Sequence, residues 1–496
     1  MGHPDEATLP VQLPQHMLID GKLVSAELTY PSVNPATGEI LGYAPDASEA
    51  DARAAVAAAR RAFDTTSWST DVAFRTRCLE QLHAALTKHK EELRELTIAD
   101  VGAPRQITYG AQLDEPIEIV QYYAKLLPAF EFTAEIGLRE FMGAQHRRWV
   151  EYEAVGVVAA IIGYNYPTQL ALAKLSPALA AGCTVVLKAA PQTPLITLAL
   201  AELIANETEI PPGVVNILSS SQASVGEVLT TSPDVDAVTF TGSTATGRRI
   251  MAASAATIKR VFLELGGKSA MVVLDDADLT GPAMVGAFAS CSHAGQGCAI
   301  TTRVVVPRAR HDEYVQLVAS MLDNVTYGNP ADPAIYMGPL ITEQQREKVH
   351  AIVTRAVEAG ATLVRGGETV AGPGYFYQPT LLADVNPDSE VAQEELFGPV
   401  LAVIPHDGDD DAVQIANNSI YGLSGAVYSA DTERALGVAR RIRTGTLGIN
   451  GGAWFGADAP FGGYKQSGVG REMGRAGLEE FLEGKTLAIP VSGGAS

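Results

Sequence analysis

Short apolar runs alternate with helix-forming stretches over most of this chain, and that alternation leaves it few folds. Val155–Ile162 reads as a buried strand and Pro167–Ala181 as a helix with proline in its first turn. Thr184–Leu187 is the next strand, Leu195–Ala205 its helix, and Val214–Leu218 and Ala237–Thr241 continue the series. Strand–helix repetition of this kind builds a parallel sheet with helices on both faces. A second series follows Glu264, with strands at Val272–Leu274, Arg303–Val306, Thr362–Val364, Val400–Ile404 and Thr446–Ile449. Helices at Ala309–Leu322 and Glu343–Ala359 lie between them. The expected class is therefore α/β, with two doubly wound domains in tandem and a cleft between them where a ligand can bind. Upstream, the alanine-dense Glu49–Phe63 and the helical spacing of Thr76–Ile98 predict helices. Thr486–Val491 reads as a short edge strand, suited to a neighbouring subunit.

Composition narrows the function classes. The 496 residues allow two to three domains of ~150 residues each, and an apolar fraction of 47% allows sizeable cores. A formal charge of −21 repels phosphate backbones and anionic bilayers, so neither nucleic acid nor membrane is an expected partner. Cys78, Cys183, Cys291 and Cys298 show no metal-type spacing, so no metal site is expected and a reducing, cytoplasmic compartment is. Met1 to Leu13 has no basic and apolar leader pattern, and the apolar run Ala154–Gly163 is too short to cross a bilayer.

Two segments carry most of the chemistry. Glu264-Leu265-Gly266-Gly267-Lys268 sets a carboxylate in a glycine-flanked strand end, and Gly295-Gln296-Gly297-Cys298 sets a thiol in a small-residue loop. A free thiol with a pKa of ~8.5 is mostly protonated at neutral pH, so an adjacent base is useful to it. Taken singly, a cysteine is more often a small buried hydrophobe and a strand-end glutamate more often structural. His293 invites a Cys–His dyad with Cys298, but no protease signature surrounds it and a helix would hold its ring at an arbitrary angle. Glu394 and Glu395 suggest a glycosidase pair, but neighbours on a strand face opposite sides. Gly242-Ser243-Thr244-Ala245-Thr246-Gly247 follows a strand and opens a helix, where backbone N–H groups suit a pyrophosphate. Its GxxxxG spacing matches neither the GxGxxG fingerprint nor a P-loop, and such a turn is also an ordinary tight connection.

In their order these segments resemble the NAD(P)-dependent aldehyde dehydrogenase superfamily, of the hydrolytic, non-acylating type. The resemblance runs from Asn34-Pro35-Ala36-Thr37-Gly38 to Lys485. It implies a dinucleotide-binding domain (1–123 and 151–264), a catalytic domain (265–466) and a β oligomerisation arm (124–150 and 482–496). A C-terminal helix (467–481) would pack on the cofactor domain, and the protein would be a homodimer or homotetramer. By resemblance, Cys298 attacks the aldehyde carbon to give a thiohemiacetal, hydride leaves to the nicotinamide, and Glu264 assists hydrolysis of the thioester. Asn165, in Ile161-Ile162-Gly163-Tyr164-Asn165-Tyr166-Pro167, would stabilise the oxyanion together with the Cys298 N–H, although an asparagine before a helix is by default a cap. Lys174 and Glu472 match proton-relay positions.

The cofactor residues implied are Ile161, Ile162, Gly163, Lys188, Gly242, Ser243, Gly247, Leu265, Gly266, Glu395 and Phe397. Lys188 would bind the adenosine ribose; Pro191 stands where many NAD-preferring relatives carry a glutamate, so NAD is expected with NADP possible. Tyr166, Gln169, Leu170, Ala173, Phe455 and Phe461 would line the aldehyde tunnel, with Phe461 inside Pro460-Phe461-Gly462-Gly463-Tyr464-Lys465-Gln466-Ser467-Gly468. Ala173 replaces a bulky aromatic of many relatives, which points to a medium or large apolar aldehyde. Two rivals stay open at this level: a coenzyme-A-acylating dehydrogenase, against which Glu264 argues, and a non-catalytic dinucleotide-binding protein.

Overall fold

Five parallel strands form the centre of the first sheet. A computed structural model describes residues 13–491; all but Leu13 of the segment Met1 to Leu13, and the last residues of the expected arm, 492–496, lie outside that range. From one edge the strands run Arg260–Glu264, Ala237–Thr241, Val157–Ile161, Thr184–Lys188 and Val215–Leu218, all parallel. Antiparallel strands close both edges: Gly468–Val469 beside Arg260–Glu264, and Met17–Ile19 with Lys22–Val24 beyond Val215–Leu218. The chain moves outward from Val157–Ile161 in one direction, then returns to build Ala237–Thr241 on its other side. That reversal leaves a crevice at the strands' carboxyl ends, where open α/β sheets bind ligands.

The second sheet has seven strands in the order Thr362–Arg365, Thr380–Ala383, Val400–His406, Arg303–Pro307, Ala270–Val273, Gly425–Tyr428 and Gly448–Ile449. Only the first pair is antiparallel. Its core, from Ala270 to Val438, is separate from that of the first sheet. Central strands of both sheets are fully buried, which is why they read as unbroken apolar runs. A third sheet joins Thr133–Phe141, Ala144–Ala154 and Leu482–Pro490, all antiparallel and mostly exposed.

Several expectations shift. The helix read over Thr76–Ile98 is two helices, Val72–Lys88 and Lys90–Val101, broken at His89. The His89 ring is held there by Glu92 at 2.9 Å and Glu207 at 2.5 Å, against the apolar periodicity that runs through the break. Residues 124–132 belong to the helix Asp114–Leu126 and the turn after it, so the exposed hairpin starts at Thr133. Glu394 and Glu395 are in a loop between Glu390–Gln393 and Val400–His406, not on a strand; what separates them is burial, since Glu394 is exposed and Glu395 half-buried. His293 is beyond the end of the helix Thr280–Cys291. Residues 467–481 return to the first core, where Met473, Leu478 and Phe481 are buried and the Tyr123 hydroxyl donates to the Gly474 carbonyl at 3.0 Å.

Candidate active site

The crevice of the first sheet faces the second unit across a cleft of ≈ 420 Å³. Ile161, Ile162, Gly163, Lys188, Gly242, Ser243, Glu264, Leu265 and Gly266 line it from the first sheet. Cys298, Gln345, Lys348, Glu395 and Phe397 line it from the second. Ten of the eleven expected cofactor residues thus share one cleft; Gly247 is buried in the helix Thr244–Ser254 just behind Ser243.

Lys188 ends its strand almost fully buried, and among the described residues its Nζ donates only to the carbonyls of Ala189 (3.3 Å) and Ser220 (3.2 Å). Burial lowers its pKa to about 8, with Asp46 pulling the other way. Ser243 caps the helix Thr244–Ser254, its hydroxyl accepting from the Thr246 N–H at 3.3 Å, so the turn is also the tight connection that the bland reading predicts. Glu395 accepts from the Gly267 N–H at 2.9 Å, and burial raises its pKa to about 7. At Gly266 a Cβ would come within 2.5 Å of Glu395 Oε2, so any side chain there would push the Glu395 carboxylate aside. Phe397 adopts φ +57° and meets Tyr164 edge-on at 5.9 Å.

Two groups escaped the sequence reading. An apolar slot of ≈ 240 Å³ continues the cleft past Ile161, Lys188 and Phe240, between the helices that carry Gly226 and Ile250. Small apolar residues on two amphipathic helices leave no distinctive pattern to read. Gln345 and Lys348 were missed as well: Gln345 Nε2 donates to the carbonyls of Leu396 (2.8 Å) and Phe397 (2.9 Å), and Lys348 Nζ to that of Glu395 (3.4 Å). Both sit at the exposed start of a helix, where Gln and Lys are ordinary.

Cys298 follows a turn of unusual backbone. His293, Ala294 and Gly295 are consecutive left-handed residues, at φ +48°, +53° and +73°. A non-glycine residue in that region costs roughly 1–2 kcal/mol, so the turn is held in place by its surroundings. At Gly295 a Cβ would approach the Gly398 carbonyl to 2.1 Å. Gly295→Ala is expected to lower thermal stability by at least about 1 kcal/mol and to misplace the thiol; a melting curve with a parallel rate measurement checks both. The His293 ring is fully buried, edge-on to Tyr166 at 5.3 Å, and no hydrogen-bond partner meets either ring nitrogen among the described residues. Burial holds it neutral, with a pKa near 4, so it is no dyad base.

The half-buried thiol of Cys298 is pushed up by burial and by Glu395, Glu264 and Glu472, which keeps it protonated at rest. Glu264 ends its strand 5% exposed, with no partner for Oε2. Burial first, then Glu472, raise its pKa well above the ordinary carboxylate range, while Lys174 and Arg471 oppose them. Lys174 and Glu472 form a buried ion pair beside it. Asn165 is buried; its Nδ2 donates to the Gln296 carbonyl at 2.9 Å, and its own carbonyl accepts from Gln112 Nε2 at 2.8 Å. An amide nitrogen carries two N–H bonds, so one is left over for a ligand.

The six expected tunnel residues are more scattered, and none lines the cofactor cleft. Tyr166 and Leu170 are half-buried at the start of the helix Pro167–Ala181; Gln169 and Ala173 are buried within it. Phe461 stacks on Trp454 at 5.8 Å, and Phe455 meets Trp454 edge-on at 6.0 Å. Trp454 was not among the sequence candidates.

Residues 23–487 match the sequence model of the aldehyde dehydrogenase family. The chain belongs to that family. Curated relatives include 3-succinoylsemialdehyde-pyridine dehydrogenase of a Pseudomonas species, 40% identical over 92% of this chain and 94% of that protein. Geranial dehydrogenase of Castellaniella defragrans is 37% identical over 96% and 98%. Among solved structures, a mutant of aldehyde dehydrogenase C from Pseudomonas syringae in complex with NAD+ and octanal superimposes with a TM-score of 0.90, at 36% identity over 98% of both chains. This aldehyde dehydrogenase is an NAD(P)-dependent oxidoreductase that turns an aldehyde into a carboxylic acid, and the expected cysteine is in place at Cys298. Its cleft fits a dinucleotide: a buried ammonium bonded only to carbonyls, a carboxylate over Gly266, and an adjoining slot of apolar walls. No helix among the described residues is long and apolar enough to cross a membrane.

Proposed function

We propose that this dehydrogenase oxidises a medium or large, largely apolar aldehyde to the free acid. NAD+ is the cofactor, and when bound it accepts the hydride. Pro191 puts no carboxylate on that part of the cleft wall, so NADP+ is also admitted. Cys298 loses its Sγ–H proton to solvent in the cleft as Sγ adds to the aldehyde carbon, and the oxyanion takes hydrogen bonds from the second Asn165 Nδ2–H and the Cys298 N–H. After hydride departure a thioester remains on Cys298. Ionised Glu264 takes a proton from the water whose oxygen adds to the thioester carbon; the C–S bond breaks, the acid leaves, and the proton returns to Cys298 Sγ or passes to Glu472, the carboxylate of the buried ion pair. The observation that carries this reading is the buried carboxyl of Glu264, opening onto the same cleft as the thiol, its Oε2 without a hydrogen-bond partner among the described residues and its pKa raised by burial.

Ile161, Ile162, Gly163, Leu265 and Gly266 then form the cofactor's bed, with Ser243 at the pyrophosphate and Glu395 on the nicotinamide ribose. Residues up to 132 and 151–264 form the cofactor-binding unit, which takes in the helix Asp114–Leu126, and 265–466 carry the thiol. Self-association into a dimer or tetramer uses the third sheet, where Ile136, Leu138, Phe141 and Ile489 are exposed. The compartment is the cytoplasm. For the substrate, support comes from the small Ala173, the aromatic group around Trp454, and relatives named for geranial and for octanal binding.

The test is an aldehyde panel with NAD+ and NADP+ offered separately, with and without coenzyme A. Catalytic efficiency should rise from two-carbon to eight-carbon and aryl aldehydes, without a coenzyme A requirement. Highest efficiency on acetaldehyde would sink the substrate reading.

A further inference from the structure

The proposed oxyanion donors sit on different units: Asn165 on the first, the Cys298 N–H on a strained turn of the second. One side chain ties that turn down. Gln296 is fully buried, and its Nε2 donates to the carbonyls of His293 (3.2 Å) and Pro339 (3.3 Å). Its Oε1 accepts from the Ile341 N–H at 3.0 Å. Its backbone carbonyl receives the Asn165 Nδ2–H at 2.9 Å. One residue therefore fixes the left-handed turn, orients the Asn165 amide and lies two positions from the thiol. Ile341 also leads directly into the helix Glu343–Glu358, whose Gln345 and Lys348 hold the backbone of Glu395–Phe397.

We propose that Gln296 is a positioning residue that sets the geometry of the oxyanion donors, acting through Asn165 and the turn that carries Cys298. The proposal rests on the oxyanion role given to Asn165 above. Without its side-chain bonds the three left-handed residues lose their anchor to Pro339 and Ile341. The Gln296 carbonyl then moves, and the Asn165 amide with it.

Gln296→Met keeps the length and removes all three side-chain bonds. Steps that pass through an oxyanion should suffer alike: aldehyde turnover and hydrolysis of a p-nitrophenyl ester should each fall by roughly 10- to 100-fold, part of the 10²–10³ attached to a whole donor. Alkylation of Cys298 by iodoacetamide forms no oxyanion and should change less than about 2-fold, as should the KM for NAD+. In an Asn165→Ala background, Gln296→Met should cost clearly less than it does alone, because the part of its effect that passes through Asn165 is already gone. Gln296→Glu is the conservative variant: a buried, neutral carboxyl can donate to one carbonyl and accept from Ile341, so partial recovery is expected. It also serves as the readout should Gln296→Met fail to fold. Alkylation falling in step with turnover, or full additivity with Asn165→Ala, would overturn the proposal. An Asn165→Ala enzyme of unchanged turnover would instead remove the oxyanion reading beneath it.

Discussion

Cys298→Ala is expected to remove aldehyde oxidation, by a factor on the order of 10⁶, the scale set by deleting an acyl-forming nucleophile. Dinucleotide binding should persist, because Lys188, Glu395 and the other expected cofactor residues of the cleft are left untouched. No other thiol can stand in. Cys78, Cys183 and Cys291 are buried, and burial raises each to about 12. Rate measurements with NAD+ and a good aldehyde, alongside a binding titration of the same variant, check both halves. Residual oxidation above about 1% of the parent rate would place the nucleophile elsewhere.

Glu264→Gln should separate the two half-reactions. Acylation and hydride transfer continue, so rapid mixing should show a burst of reduced nicotinamide approaching one per subunit. Steady-state turnover should then fall by roughly 10²–10⁴-fold, the usual contribution of a positioned general base. The pH dependence follows from the sign of the shift. Burial and Glu472 raise the Glu264 carboxyl, so it is protonated at low pH and ionises only as pH climbs through the raised value. Base-assisted deacylation must ionise it, so the parent rate should increase with pH across that window, and the glutamine variant should lose that limb. An unchanged rate without a burst would remove Glu264 from the hydrolytic step. Sensitivity to Lys174→Met and Glu472→Gln along the same limb would tie the buried ion pair to proton exit.

Much of this architecture is legible in the residue order. Pro167–Ala181 is a helix with the bounds read from its proline and alanine pattern, and Lys188 does end its strand. Parallel strands buried on both faces announce themselves as apolar runs. Thr380–Ala383 and Gly425–Tyr428 were harder, because four residues between loops give no period to count. The break at His89 depends on Glu207, over a hundred residues downstream, and no local pattern contains it. At the site, Cys298, Glu264 and Asn165 stood out by motif. Gln296 stood inside a quoted motif, yet its work depends on Pro339 and Ile341, which only the fold brings near. His293 is the reverse case: it is close in sequence to the thiol, but its context sets it aside as a dyad partner, and its ring turns toward Tyr166.

The ion pair of Lys174 with Glu472 joins residues 298 positions apart, and the strand Gly468–Val469 is the edge that closes the first sheet beside Glu264. Ribosomal synthesis therefore finishes the thiol-bearing unit before the base acquires its surroundings. A nascent or truncated chain lacking residues past 467 holds Lys174 without its counter-charge and Glu264 on an open edge. Such a chain is expected to lose the base-assisted step. Refolding from denaturant should therefore regain activity later than it regains helix signal, as long-range closure is slow.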